Sequence, residues 1–164
     1  MNILITGVPA TGKSEISKAL GKLINYKVIN DKNFCKKNNL GDYKVIDSSK
    51  EYVVNIKALN TLFKTENKEN KIFEGHLWCE LSKSNLKSFD YVFLLVASKK
   101  LLLERQKKRK YPDIKIIENI FCQDVKYLDD VFNKKEKEYI TIKVTNDLES
   151  NLKKIMVKLK WQKH

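Results

Sequence analysis

The sequence predicts an α/β fold in three layers, with helices on both faces of a five-stranded, largely parallel sheet. Three observations support this prediction. Short apolar segments alternate with stretches of helical periodicity along the 164 residues. Residues 91–96 are apolar throughout, as expected of a parallel strand that is covered on both faces. A glycine-containing loop follows the first apolar segment and leads into the first helix, where a phosphate-binding loop stands in such folds.

The predicted elements alternate in type along the chain. Strands are predicted at residues 2–6, 26–29, 71–74, 90–96 and 139–144. Helices are predicted at residues 13–23, 31–37, 51–63, 99–108 and 117–132, and a last helix follows a capping box formed by Asn146 and Glu149. Residues 38–49 are predicted to be a loop because asparagine, glycine and serine punctuate them. We find no internal repeat or linker, so residues 1–164 are predicted to form a single domain.

Composition excludes several classes of protein. Hydrophobic residues make up 42% of the chain, which is typical of a globular protein. The longest apolar run, residues 91–97, is too short to span a bilayer, and no secretory signal is visible. Cys35, Cys79 and Cys122 form no C-x-x-C pair, which argues against a disulfide framework and a zinc site. We therefore expect reduced thiols, a cytoplasmic location and no membrane partner.

The net charge of +13 leaves two interpretations open. One is a solvated, lysine-rich surface, since lysine is spread over the whole chain. The other is attraction to RNA or to a nucleoprotein through phosphate contacts.

The loop between the first strand and the first helix carries the strongest functional signal. Residues 7–14 match G-x-x-x-x-G-K-[ST] at every fixed position. In such a loop the backbone N–H groups bind phosphates, and Gly7 and Gly12 permit the close approach. We expect Lys13 to reach the β and γ phosphates of ATP and the Ser14 hydroxyl to bind Mg²⁺. The alternative is a tight turn that binds no ligand.

Glu74 and His76 follow the third predicted strand. An acidic residue at the end of a neighbouring strand commonly holds Mg²⁺ or its water in phosphate-loop enzymes, so we expect Glu74 to serve as a magnesium-shell residue. His76 is a candidate for orienting a nucleophile or sensing the γ phosphate. The alternatives are a capping or surface carboxylate and a purely structural histidine.

Arg105 and Arg109 are the only arginines in a chain with 33 basic residues. They lie one helical turn apart, so they share a face of the predicted helix. A guanidinium can bind two phosphate oxygens at once, which lysine cannot. We therefore predict that both arginines stabilise the charge of a transferred phosphoryl group. The alternative is an exposed basic helix end, because lysines surround them.

With these residues in hand, the chain resembles the adenylate kinase isoenzyme 6 family, and the resemblance runs over nearly its whole length. The motifs that carry it are Asn2-Ile3-Leu4-Ile5-Thr6-Gly7 before the phosphate loop, Ile29-Asn30, Glu74-Gly75-His76, Glu104-Arg105, Arg109-x-Tyr111, and Glu118-Asn119-Ile120 with Cys122. The phosphate loop alone is shared by many families, whereas these later motifs together are more specific. The resemblance implies a nucleoside monophosphate kinase that is also an ATPase in small-subunit ribosome assembly.

The family resemblance also implies two inserts and their roles. A monophosphate-binding region covers residues 30–53 and a short lid covers residues 108–118. Arg109 is then expected to contact ATP, and Arg105 to bridge the donor and acceptor phosphates. Glu74 and His76 correspond to the family's pair for magnesium and water positioning. The expected contacts of the acceptor monophosphate are Asn30, Asn33 and Lys36.

The chain departs from the family pattern at four positions. Ala10 stands where glycine is common, and Glu15 stands where a hydroxyl residue is common, although the backbone N–H of Glu15 remains available to ATP. Lys36 stands where the family often has arginine, which predicts a weaker hold on the acceptor. Lys110 replaces a glycine at the lid hinge. These changes bear on turnover and acceptor affinity more than on the reaction.

Three functions follow as expectations. The first is Mg²⁺-dependent transfer of a phosphoryl group from ATP to AMP, giving two ADP. The second is an assembly switch whose ATPase cycle controls binding to a small-subunit ribosomal protein or ribosomal RNA. The third is a kinase for another nucleoside monophosphate. The sequence indicates neither the acceptor base nor the oligomeric state.

Overall fold

The computed structural model describes residues 1–46, 49–66 and 70–159. The strands are β1 (Asn2–Thr6), β2 (Lys27–Asn30), β3 (Gly41–Ile46), β4 (Ser49–Val54), β5 (Lys71–Glu74), β6 (Tyr91–Val96) and β7 (Ile140–Lys143). The helices are α1 (Lys13–Ile24), α2 (Asp31–Lys37), α3 (Ile56–Glu66), α4 (Lys83–Leu86), α5 (Lys99–Lys108), α6 (Asp113–Asp124), α7 (Tyr127–Lys134) and α8 (Leu148–Lys158). A short 3₁₀ helix, Leu77–Glu80, follows β5.

A five-stranded parallel sheet has the strand order β2-β5-β1-β6-β7. Because the strands are parallel, their carboxyl ends meet at one edge of the sheet. The pairing register places Asn30, at the end of β2, beside Glu74, at the end of β5. Ile5, near the end of β1, pairs with Glu74 on one side and with Phe93 on the other. The edge that carries the phosphate loop therefore also carries Asn30 and Glu74.

Two apolar clusters cover the two faces of this sheet. Alternation along β1 sends Ile3 and Ile5 to one face and Leu4 to the other. On the first face α1, α5 and α8 contribute buried residues, among them Ile16, Leu20, Leu101, Leu102 and Ile155. On the second face α2, α3, α7 and the 3₁₀ helix contribute Phe34, Leu59, Phe63, Trp78, Leu128 and Phe132. The predicted three-layer α/β fold with a five-stranded parallel sheet is confirmed.

An aromatic cluster anchors the segment that follows β5. The rings of Phe63, Phe73, Trp78 and Phe89 pack with centroids 5.2 to 5.9 Å apart. The Trp78 indole N–H also donates to the Glu74 carbonyl at 3.1 Å, and the Trp78 side chain is fully buried. These contacts tie the chain on both sides of the turn after β5 to the core.

The predicted loop at residues 38–49 is wrong, because most of this stretch belongs to an antiparallel hairpin of β3 and β4. Tyr43 pairs with Tyr52 across the strands, and their rings meet edge to face with centroids 5.3 Å apart. The helix predicted from residue 51 consequently begins later, at Ile56. Its start is fixed by Asn55, whose side-chain oxygen accepts a hydrogen bond from the Ala58 N–H at 3.1 Å. All of the hairpin except Val54 lies within the range predicted to bind the monophosphate.

Two further predictions need correction. The long helix predicted at residues 117–132 is broken into α6 and α7, because Lys126 adopts a left-handed conformation with φ 54°. The last helix is capped by Asp147, whose side chain accepts from the Glu149 N–H at 3.0 Å. Asn146, predicted as the cap, instead accepts a hydrogen bond from Arg105. Across the described ranges, no helix is long and apolar enough to cross a membrane.

Candidate active site

The phosphate loop joins β1 to α1 and is held in a strained shape. Gly7 and Gly12 have φ angles of +150° and +94°, and a Cβ on Gly7 would come within 2.5 Å of the Leu95 carbonyl oxygen. Ala10 also has a positive φ, 70°, at the position where the sequence departs from the family's usual glycine. A non-glycine residue in this region costs on the order of 1 kcal/mol. The Thr11 hydroxyl closes the loop by donating to the Val8 carbonyl at 3.0 Å.

Lys13, the first residue of α1, folds back over the phosphate loop. Its ammonium group donates to the carbonyl oxygens of Gly7 at 2.8 Å and Val8 at 3.0 Å. Burial lowers the pKa of Lys13 to about 8, although the nearby carboxylates of Glu74 and Asp31 act in the opposite direction. A cation in such a position meets phosphate oxygens that approach the loop, because the helix N-terminus and the loop N–H groups face the same place.

Ser14, Glu74 and Asn30 form a connected group at the carboxyl edge of the sheet. The Ser14 hydroxyl donates to Glu74 Oε1 at 3.0 Å, and the Asn30 amide donates to Glu74 Oε2 at 2.6 Å. The Glu74 residue is only 4% exposed. The two sequence-predicted metal ligands, Ser14 and Glu74, are thus brought together, since their oxygens lie within hydrogen-bonding distance.

The oxygen atoms of Ser14 and Glu74 fit a magnesium ion that also binds nucleotide phosphates. Mg²⁺ prefers hard oxygen ligands and is usually held by one or two protein groups together with water and phosphate oxygens. Over residues 1–46, 49–66 and 70–159, no group of three or more His, Cys, Asp or Glu residues could hold a metal by itself. The donor set therefore suits a metal that arrives with its nucleotide better than a permanently bound ion.

His76 lies two residues beyond Glu74 and immediately before the 3₁₀ helix. The side chain is half-buried, and burial lowers its pKa, while the carboxylate of Asp31 acts in the opposite direction. The positive charge of Lys13 lowers the pKa of His76 further. The structure thus brings His76 to the same edge of the sheet as Lys13 and Glu74.

Arg105 and Arg109 are placed differently from each other. The Arg105 guanidinium bridges the phosphate loop and the segment after β7: it donates to the Ala10 carbonyl, the Thr145 carbonyl and the Asn146 side-chain oxygen, each at 3.1 Å. Arg109 lies exposed at the carboxyl end of α5, and its charge reaches Lys13, whose pKa it helps to lower. Arg105 therefore contacts the loop directly, whereas Arg109 acts on Lys13 through its charge.

The residues predicted to bind the acceptor monophosphate are spread along α2. Besides its contact with Glu74, Asn30 caps α2, because its side-chain oxygen accepts from the Asn33 N–H at 3.0 Å. Asn33 itself is exposed on the first turn. The Lys36 ammonium lies over the rings of Tyr43 and Tyr52, 5.5 and 5.7 Å from their centroids. Lys36 thus faces the hairpin, whereas Asn30 faces Glu74.

Glu15 lies exposed in the first turn of α1, where a carboxylate interacts favourably with the helix dipole. Sequence reasoning missed Asp31, a carboxylate that is only 2% exposed and acts electrostatically on both Lys13 and His76. The only signal in the sequence was its place directly after Asn30.

The comparisons with known proteins identify the family to which the chain is related. A family model described as an AAA domain matches residues 3–126. A protein of Methanocaldococcus jannaschii named "Putative adenylate kinase" is 32% identical over 99% of this chain and 88% of its own length. An "Adenylate kinase isoenzyme 6 homolog" of Caenorhabditis elegans is 25% identical over 94% of this chain and 86% of its own. The chain belongs to the adenylate kinase isoenzyme 6 family.

Another relative, also named "Putative adenylate kinase", matches over less of its own length. The relative from Thermococcus kodakarensis is 31% identical over 73% of this chain, and the match spans 63% of that protein, which is less than two thirds. Solved structures extend the likeness in fold. A shikimate kinase from Acinetobacter baumannii has a TM-score of 0.68 at 14% identity, covering 97% of this chain and 93% of that one. A deoxyadenosine kinase from M. mycoides has a TM-score of 0.56 at 19% identity, covering 98% and 100%. The fold is that of P-loop kinases.

Proposed function

We propose that the chain is a nucleoside monophosphate kinase that transfers the γ phosphoryl group of ATP to AMP and forms two ADP. The observation that carries the proposal is the convergence of Lys13, Ser14 and Glu74 at the end of the phosphate loop, with the Ser14 and Glu74 oxygens 3.0 Å apart. Family membership supports the reaction class, since the relatives bear the name of adenylate kinases.

The proposed mechanism relies on positioning and charge. The phosphate loop binds the ATP phosphates through its N–H groups, and Lys13 exchanges its two carbonyl contacts for the β and γ oxygens. Ser14 and Glu74 would hold Mg²⁺, which supplies positive charge to the β and γ phosphate oxygens when bound. Arg109 approaches from the lid, and Arg105 leaves its carbonyl partners to bridge donor and acceptor phosphates. Asn30, Asn33 and Lys36 receive the acceptor from the side of α2.

The test is ADP formation from MgATP with and without AMP. We expect strong dependence on AMP, and we expect Lys13→Ala to abolish transfer, because the P-loop cation is lost. Lys18→Ala is the matched control, since Lys18 is an exposed lysine on the same helix. Normal turnover of Lys13→Ala would contradict the proposal. An acceptor screen with AMP, CMP, UMP and GMP then identifies the preferred monophosphate.

A second candidate function is an ATPase switch in small-subunit ribosome maturation. The net charge of +13 favours it, because a basic surface attracts ribosomal RNA or a nucleoprotein. The exposed basic run at residues 107–110 adds local charge beside the site. ATP hydrolysis that is indifferent to AMP and responds to ribosomal RNA or a small-subunit ribosomal protein would favour the switch over the kinase. The free cysteines at positions 35, 79 and 122 are compatible with the cytoplasmic location that we propose for either function.

A further inference from the structure

The backbone after β5 wraps around the carboxylate of Asp31, the first residue of α2. Asp31 Oδ2 accepts a hydrogen bond from the Leu77 N–H at 2.8 Å, and Oδ1 accepts one from the Lys32 N–H at 2.6 Å. The residue is 2% exposed. The segment that begins with Glu74 and ends at Leu77 is thereby attached to α2 through a buried charge.

Gly75 shows how close this approach is. Its φ is +133°, and a Cβ built there would lie 2.0 Å from Asp31 Cγ and 2.1 Å from Asp31 Oδ2. The carboxylate therefore occupies the space that any other side chain at position 75 would need. The contact is one between the backbone of Gly75 and the short side chain of Asp31, whose oxygens are held by the N–H groups of Leu77 and Lys32.

Asp31 and Asn30 are hydrogen-bonded to the same turn at two points. Asn30 donates to the Glu74 side chain, while Asp31 accepts from Leu77 on the other side of His76. The charge of Asp31 also acts on Lys13 and His76 and favours their protonated forms.

We propose that Asp31 is a positioning residue that holds the turn bearing Glu74 and His76 against the phosphate loop. Its kinetic consequence rests on the proposed kinase function. When the turn loosens, Glu74 and His76 move relative to Lys13, and displacements of about 1 Å at a catalytic group can cost on the order of a hundredfold in rate. ATP should still bind, because the carboxylate of Asp31 is hydrogen-bonded to Leu77 and Lys32 rather than to the phosphate loop.

The kinetic test compares Asp31→Asn and Asp31→Ala with Asp130→Asn, an exposed carboxylate on α7. Asparagine keeps one acceptor oxygen for the Leu77 N–H and loses the charge, whereas alanine loses both. We expect kcat to fall about tenfold in Asp31→Asn and further in Asp31→Ala, with the KM for ATP within about threefold of the original. An unchanged kcat, or a loss confined to the KM for ATP, would overturn the proposal.

The fluorescence of the buried Trp78 indole detects a change in the turn independently of catalysis, because the indole N–H donates to the Glu74 carbonyl. The chain has two tryptophans, so Trp161→Phe leaves Trp78 as the only source of indole emission. In this background we expect Asp31→Ala to shift the emission to longer wavelength and to increase quenching by acrylamide, and Asp130→Asn to do neither. Unchanged emission in Asp31→Ala would overturn the proposed attachment.

Failure of the proposed kinase reaction and failure of the positioning role of Asp31 can be distinguished. If the unmodified protein forms no ADP from ATP and AMP, the proposed reaction is contradicted, and Trp78 emission alone decides on Asp31. If the protein is active and Asp31→Asn matches it in kcat, the positioning role is contradicted and the reaction stands.

Discussion

The hydroxyl of Ser14 donates to the carboxylate of Glu74 at 3.0 Å, although the two residues are 60 positions apart in the chain. The other carboxylate oxygen accepts from Asn30 at 2.6 Å. Two donors therefore fix the orientation of this carboxylate before any nucleotide arrives. A carboxylate held in this way would lose little freedom on binding Mg²⁺, which suits the metal role proposed for Glu74.

We predict that Glu74→Gln raises the Mg²⁺ concentration needed for half-maximal ADP formation. Glutamine keeps the shape and an oxygen for the Ser14 hydroxyl, but it removes the negative charge. Losses of such groups commonly cost about ten- to a hundredfold in metal affinity or activity. The measurement is the initial rate against MgCl₂ at saturating ATP and AMP. Glu138→Gln, an exposed glutamate remote in sequence, serves as the control; equal Mg²⁺ dependence in both variants would argue against the metal role of Glu74.

The place of the phosphate-loop motif between β1 and α1, and that of Glu74 at the end of β5, could be predicted from the sequence because both depend on local patterns. The loop has fixed spacing, and Glu74 ends a short apolar strand. Asp31 was missed because its decisive contact, with Leu77, joins residues 46 positions apart and exists only after β2 and β5 pair.

The hairpin and the helix break were missed for other physical reasons. The strands β3 and β4 are stabilised by cross-strand pairs such as Tyr43 with Tyr52, while the glycine and asparagine residues around them favour a loop when considered alone. The left-handed backbone at Lys126 could not be predicted from local propensity, because lysine is a good helix former.

ATP binding should depend on pH through Lys13. Burial lowers the pKa of this lysine to about 8, so the free protein loses the ammonium charge as the pH rises through that value. Bound phosphates favour the charged form, and binding above this pH must therefore take up a proton. The affinity should fall by up to about tenfold for each pH unit above the pKa.

Calorimetry in buffers with different protonation enthalpies, from about pH 7.5 to 9.5, measures both the affinity and the proton uptake. Lys13→Arg is the control, because arginine stays charged across this range, and its affinity should stay level even if it is lower overall. An affinity of the unmodified protein that does not change through this range would show that Lys13 is charged throughout.

We predict that Arg105→Lys lowers kcat far more than it weakens ATP binding. Lysine cannot make the forked contacts by which Arg105 reaches Ala10, Thr145 and Asn146, nor can it bridge two phosphates. Arg109→Lys should also lower kcat, because lysine keeps the charge but loses the planar fork that can bind two phosphate oxygens at once. Loss of an arginine that stabilises a transferred phosphoryl group can cost about a thousandfold or more.

Steady-state rates and ATP binding of both arginine variants test this prediction. The control is Lys100→Ala, since Lys100 is an exposed lysine on the same helix. A change confined to ATP affinity in Arg105→Lys would mean that Arg105 holds the loop and its nucleotide without acting on the transferred group.

Asn30→Asp should make the folded protein less stable as the pH rises, and Mg²⁺ should reverse the effect. The new carboxylate would replace the amide that now lies 2.6 Å from Glu74 Oε2, and two carboxylates this close raise the pKa of at least one of them. Between the ordinary value of about 4 and the raised value, the folded form binds more protons than the unfolded form, so the free energy of unfolding falls with rising pH. Aspartate still caps α2, so capping does not confound the result.

Thermal unfolding at about pH 5 and pH 8, with and without MgCl₂, measures this effect. The loss of Tm in Asn30→Asp should be larger at the higher pH. The control is Asn133→Asp, at an exposed asparagine on α7, which should not show this difference. An equal loss at both pH values would mean that the two side chains move apart, and that the edge of the sheet at Asn30 is less rigid than its hydrogen bonds indicate.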